Sequence, residues 1–338
     1  MRGLRTTPCS DILKFSALFA SRPARGGAGE GEDLSTVRVA NAPVSFGVFE
    51  LSVGAPHLPE ADDVLDAVAG SGYEGIDLGP PEFLGTRSEL QRRLEARRLD
   101  LAGGWVELRF SESEHFREDL EALESSLDLF EAGSSEDSAW WPKPTLADAG
   151  SPERRDNPGR GKDEPQLRLD DAGWKRLAHG VAEAAERCRA RGLEPTFHHH
   201  ACTHVEAPVE IETLLELTDV SLCLDSGHLL LGGGDPVEAF RDWHERINHV
   251  HVKDARLEVL DAVIAEGAGM EAVWQRGAFC ELGRGDAGVE DFLGAVAASD
   301  FSGWLVVEQD RFVTPGDSVA DIAAAQARNR DFLRRHDL

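Results

Sequence analysis

No two cysteines in this sequence stand as CxxC, and the five it has (Cys9, Cys188, Cys202, Cys223 and Cys280) are an odd number scattered along the chain. That spread excludes a disulfide framework and fits reduced thiols, so the cytoplasm is the expected compartment. Positive charge is also scarce: Lys and Arg total 35 against 62 Asp and Glu, a formal net charge of −27. A nucleic-acid partner needs a basic footprint to release counterions, and an anionic membrane surface needs the same, so neither is expected. No apolar run nears the ~18 residues of a membrane span. No GxGxxG follows the first predicted strand, which removes the main fingerprint of a dinucleotide-binding sheet.

What is present is a globular composition, 41% hydrophobic and 29% charged over 338 residues. That is enough for one large α/β barrel or two ordinary domains. Residues 1–36 stand apart. Arg2 and Arg5 precede a short apolar patch, Ile12 to Ala20, in the manner of a secretory signal. Asp11 and Lys14 interrupt the pattern and no clean small-residue cleavage site follows, so a loosely attached or disordered extension is expected instead.

From Val37 strand-like and helix-like blocks alternate to the C-terminus. The strands are expected near Val37 to Phe46, Gly72 to Gly79, Leu99 to Leu108, Pro144 to Ala147, Leu193 to His198, Ser221 to Asp225, Ile247 to Lys253 and Trp304 to Glu308. Helical patterns separate them, the last running from Ser318 to Leu333. Asp148 to Pro165 reads as a long loop and Leu257 to Arg276 as a long insertion. Eight short strands alternating with helices imply parallel pairing, and a (β/α)8 TIM barrel over 37–338 is the expected fold class. In a barrel the chemistry gathers at the C-terminal strand ends.

Those ends are where the polar residues lie. Strand five ends in His198-His199-His200 and strand six in Asp225-Ser226-Gly227-His228. Strand seven carries His249-Val250-His251-Val252-Lys253-Asp254, and strand eight ends in Glu308-Gln309-Asp310. Each motif alone is common, and a lone strand histidine is more often a satisfied core or surface group. Asp225 also reads as a helix cap. Four consecutive strands ending in ligand-type residues would be an expensive arrangement for a core, because buried charges need partners. A shared divalent metal on His198, Asp225, His251 and Glu308 is therefore expected. Mixed imidazole and carboxylate suits Mn²⁺, Fe²⁺, Co²⁺ or Zn²⁺ and not a calcium cage. Strand alternation puts His198 and His200 on one face, so the reverse choice of ligand stays open. It likewise puts His249, His251 and Lys253 on one face.

Taken as a set, Asn41-Ala42-Pro43-Val44-Ser45-Phe46-Gly47, Phe197-His198-His199-His200, Leu224-Asp225-Ser226-Gly227-His228, His249-Val250-His251-Val252-Lys253-Asp254 and Val306-Val307-Glu308-Gln309-Asp310 resemble the inosose dehydratases. These belong to the xylose-isomerase-like group of sugar isomerases and epimerases. The resemblance runs from about Val37 to the C-terminus. It implies a Mn²⁺- or Co²⁺-dependent loss of water from a 2-keto-inositol, with Zn²⁺, Fe²⁺ or Mg²⁺ as other metals. It also implies a Glu, an Asp, a His and a Glu on the metal in the wider group. The first of these falls on His198 here, while Asp225, His251 and Glu308 match directly. Phe46 stands where the family usually has Trp, and Asp77 where it has Glu.

On this reading His200 or Glu308 takes the α-proton, and Lys253 or His228 protonates the leaving hydroxyl. Asn41, Asp77, His228 and Lys253 are the substrate-binding candidates. The same site would serve an epimerase, an isomerase or a lyase eliminating from a keto-glycoside. The expected partner is a small polyol or keto-sugar, and a homo-oligomer is compatible with it. A metal-dependent endonuclease of the same barrel type would need ligands from the early strands and a basic groove. Neither is present, since His57 and His115 fall outside the predicted strands.

Overall fold

The computed structural model describes residues 36–338 apart from Ser113 and Pro315. The expected N-terminal extension lies outside the described residues, and the barrel unit runs from Thr36 to Leu338. Eight parallel strands close into a barrel in sequence order: β1 (Val37–Asn41), β2 (Gly75–Asp77), β3 (Asp100–Leu108), β4 (Lys143–Asp148), β5 (Thr196–His198), β6 (Ser221–Asp225), β7 (Ile247–Val252) and β8 (Gly303–Val307), with β8 paired back to β1.

The helices form where an apolar stripe recurs at helical spacing. Asp171–Ala190 is representative. Asp170 accepts from the Gly173 N–H at 2.7 Å and opens it, and Leu177, Val181, Ala184, Ala185 and Cys188 bury one face. On its outward side Arg187 and Arg191 pair with Glu124 and Glu131 of the neighbouring helix.

Alternation along each strand sorts the residues between the helical shell and the barrel interior. Trp304 lies inside the barrel on Ala40, Ala102 and Val306. The Arg38 guanidinium lies 4.4 Å from its ring centroid and forms salt bridges to Glu74 and Asp100. This cluster lies toward the N-terminal ends of β1 and β8, and the residues four positions beyond Arg38 and Trp304, Ala42 and Glu308, line the pocket.

Three expectations are corrected. The first strand ends at Asn41, because Pro43 has no N–H for a ladder and starts a 3-10 turn, Pro43–Phe46, closed by Gly47 at φ 78°. The expected loop after β4 contains a short helix, Pro152–Asp156, whose N–H of Arg154 is accepted by Ser151. The insertion after β7 folds into two helices, Leu257–Glu266 and Met270–Gln275, beside a two-stranded antiparallel ribbon, Asp254–Ala255 with Phe279–Cys280. Leu260, Val263, Met270, Val273 and Phe279 build a separate small core with Ala201 and Leu231, which holds this roof over the strand ends.

Candidate metal centre and pocket

The inward residues at the ends of β5 to β8 meet at one point. His198 Nε2 lies 3.4 Å from Asp225 Oδ2, and His251 Nδ1 lies 3.7 Å from Asp225 Oδ2 and 3.1 Å from Glu308 Oε2. One ligand atom from each of the four lies within 4.8 Å of the others. Donors about 2.0–2.2 Å from a shared ion stand roughly 3–3.7 Å apart, so the spacing suits a divalent cation. Asp225 uses its two oxygens differently. Oδ1 accepts from the N–H of Gly227 and of His228 at 2.8 Å each, capping the short helix Ser226–Leu231. Oδ2 makes no hydrogen bond and faces the cluster. The cap reading of Asp225 holds for Oδ1, and Oδ2 stays turned toward the cluster. His198 Nδ1 and both ring nitrogens of His251 are also buried without a hydrogen bond. Buried polar atoms left this way point to a missing partner, and the donor set fits a metal.

Lys253 offsets part of the charge inside the protein. It is 1% exposed, and its Nζ stands 2.8 Å from Asp310 Oδ1, 2.9 Å from Glu308 Oε2 and 3.2 Å from Asp225 Oδ2. Burial works against its charge, but the three carboxylates outweigh it and hold the ammonium well above its ordinary range. Burial would likewise raise Asp225 and Glu308, yet Lys253 and the imidazoles hold both well below the usual carboxylate range. His198, His200 and His228 are pushed down by burial and stay neutral, the state a metal or a proton acceptor requires.

Beside this cluster lies a second one. The rings of His200 and His228 stack with centroids 3.7 Å apart, and His228 Nε2 is 2.9 Å from Lys253 Nζ and 3.3 Å from Asp310 Oδ2. His200 Nδ1 is 2.7 Å from the Ala201 carbonyl, which assigns its proton to Nδ1 and leaves Nε2 as an acceptor. Asp77 Oδ2 lies 3.8 Å from His251 Nε2, and burial pushes its carboxyl up to about 7.

Two of the substrate-binding candidates do not line the cavity: His228, fully buried against His200 and Lys253, and Asn41. Asn41 falls on the outward face of β1, where its amide donates to Gln326 Oε1 at 3.0 Å and its oxygen accepts from the Ala42 N–H. Its neighbours Ala42 and Pro43 line the cavity and Asn41 does not. Alternation from Ala40 and Ala42 would have shown this. Two site residues had no role assigned from the sequence. Asp310 sits two residues beyond Glu308 on the same face. Trp105 of β3 packs edge-on against His198 and His200, with centroids 5.4 and 5.1 Å away. The inward run of Gly103, Trp105 and Glu107 was its only signal.

All of this opens into one cavity of ≈ 670 Å³, lined at its inner end by His198, His200, His251, Lys253 and Glu308. Among the described residues no helix is long and apolar enough to cross a membrane.

A family model described as xylose isomerase-like TIM barrel matches residues 65–336. An inosose dehydratase of Geobacillus kaustophilus (strain HTA426) is 30% identical over 279 residues, covering 81% of this chain and 87% of that protein. Among solved structures, the IolI protein with a bound zinc atom superposes with a TM-score of 0.63 at 13% identity, over 88% of this chain and 99% of that one. The probable 3-DHS dehydratase AsbF of Bacillus anthracis, involved in petrobactin synthesis, does so with a TM-score of 0.61 at 18% identity, over 88% and 98%. At these identities the two structures bear on the fold.

Proposed function

The chain belongs to the xylose isomerase-like TIM-barrel family, and from that membership we propose that it is a metal-dependent hydro-lyase that dehydrates a keto-inositol. The observation that carries this reading is the meeting of His198, Asp225, His251 and Glu308 at 3.1–3.7 Å from four consecutive strands. Its relative is an inosose dehydratase over most of both chains.

The four residues would hold a divalent cation, and Mn²⁺ or Co²⁺ is our reading from two imidazoles and two carboxylates, with zinc the first comparison. When bound, such an ion supplies Lewis acidity that makes the hydrogen beside a ketone acidic. The protein's own groups do the rest. His200 presents a neutral Nε2 to the cavity and takes the proton from the carbon beside the ketone. Lys253, fixed by three carboxylates, holds and polarises the leaving hydroxyl, and His228 beside it completes the proton path to that oxygen. Asp77 faces the same space beneath His251. Trp105 walls the site and excludes water. The same proton abstraction followed by return on the other face is epimerisation, the second reading. The cytoplasm is the compartment we propose, since the four described cysteines are free and buried.

Incubating metal-loaded protein with 2-keto-myo-inositol in deuterated water tests this. Growth of ultraviolet absorbance from the enol form of the 1,2-dione that loss of one water leaves is the expected result. Deuterium uptake without loss of water would make the enzyme an epimerase, and neither signal would overturn the reading.

A further inference from the structure

The cavity has an outer end that a single polyol ring has no use for. Phe49 follows the turn after β1, Phe312 follows β8, and Trp274 stands on the helix Met270–Gln275 of the insertion. Their ring centroids lie 5.0 Å (Phe49 to Phe312), 6.0 Å (Phe49 to Trp274) and 6.3 Å (Trp274 to Phe312) apart, so three separate segments build one aromatic wall. All three line the cavity that holds the metal cluster, and each stays partly exposed. Aromatic faces assembled this way suit the flat apolar face of another ring. The volume agrees. A cavity of ≈ 670 Å³ falls in the range that takes a drug-sized ligand, more than one six-membered ring fills. The rim charge selects further. Glu50, Glu107, Asp156 and Glu271 line this cavity against one arginine, Arg155, which donates through Nη2 to the Ala149 carbonyl at 3.0 Å. Carboxylates there accept hydrogen bonds from hydroxyls and repel a phosphate.

We infer that the outer end of the cavity is a subsite for an uncharged second ring, O-linked to the polyol ring at the metal end. This rests on the proposal that the metal end takes a polyol ring. It extends the substrate class to two-ring compounds such as glycosides of the keto-polyol ring and makes Phe49, Trp274 and Phe312 specificity residues. The shared chemistry is a flat neutral ring, either a sugar or an aryl group.

Binding of unreactive ligands tests this independently of turnover. Calorimetry on the metal-loaded full chain would compare methyl β-D-glucopyranoside, phenyl β-D-glucopyranoside and cellobiose. The expected result is at least tenfold tighter binding of one or both two-ring ligands than of the methyl glucoside. That preference should fall at least tenfold in Trp274→Ala and, separately, in Phe312→Ala, with circular dichroism confirming that each variant is folded. Equal affinity for all three ligands overturns the inference, as does a preference that survives both substitutions. Failure of the dehydratase reading shows instead in the keto-inositol assay, where these ligands play no part.

Discussion

Lys253→Met removes the ammonium while keeping the length of the buried stem. In the metal-free protein it leaves Asp225, Glu308 and Asp310 facing the space where Nζ stood 2.8–3.2 Å from each. Removing one partner of a buried ion pair costs about 3–5 kcal/mol, because the remaining charge is uncompensated. For a barrel of this size each kcal/mol moves Tm by roughly 2 °C, so the metal-free variant should melt about 5–10 °C below wild type. A divalent cation on the same carboxylates restores the balance. At a hundred to a thousand times Kd it adds about 3–4 kcal/mol, which brings the metal-loaded variant most of the way back to metal-free wild type. Affinity for the metal should be at least that of wild type, because Nζ no longer approaches Asp225 Oδ2 and Glu308 Oε2. Turnover should still fall by at least about a hundredfold in kcat, the lower size of an acid–base contribution. Differential scanning calorimetry with and without Mn²⁺, followed by the keto-inositol assay, reads all of this. A metal-free variant that melts with wild type would refute the charge-balance argument. Turnover within a few-fold of wild type would refute the role at the leaving group.

Asp225→Ala should abolish both metal binding and turnover while the barrel stays folded, read by metal analysis and circular dichroism; full metal occupancy would remove Asp225 from the site. Arg154→Met should destabilise by about 3–5 kcal/mol in urea titration, since Arg154 is the buried partner of Glu206 and Glu210 at 2.9–3.0 Å; a loss under 1 kcal/mol would show that the roof does not depend on it. Asp77 has a folded pKa of about 7, above its unfolded value, so its contribution to stability is present at low pH and is lost as pH rises through about 7. Asp77→Asn should therefore stabilise the metal-free protein more at pH 8 than at pH 4, and a pH-independent effect in thermal melts would contradict this.

Much of the fold was legible because local patterns carry it. Alternating blocks set the strand number and the parallel pairing, and β5 to β8 fell close to where apolar residues give way to His, Asp and Glu. The four ligand candidates were legible for the same reason: each ends a strand, and neighbouring strands in a closed barrel bring their ends to one point. The rest depended on contacts between residues far apart in the chain. The roof helices Leu257–Glu266 and Met270–Gln275 read as an insertion because their apolar faces find partners far away in the chain, in Ala201, Cys202 and Leu231. Trp105 became a wall of the site once barrel curvature turned the inward face of β3 toward that of β5, across β4, and Asp310 did so once Lys253 reached it. Asn41 belonged to a matching motif, yet strand alternation sends it to Gln326 on the last helix. Sequence alone determined which side chains can bind a cation and on which strands they stand, since residue type and spacing along a strand are local properties. Only the closure of the barrel decided which of them share a cavity, which face a helix, and that one buried lysine faces three carboxylates.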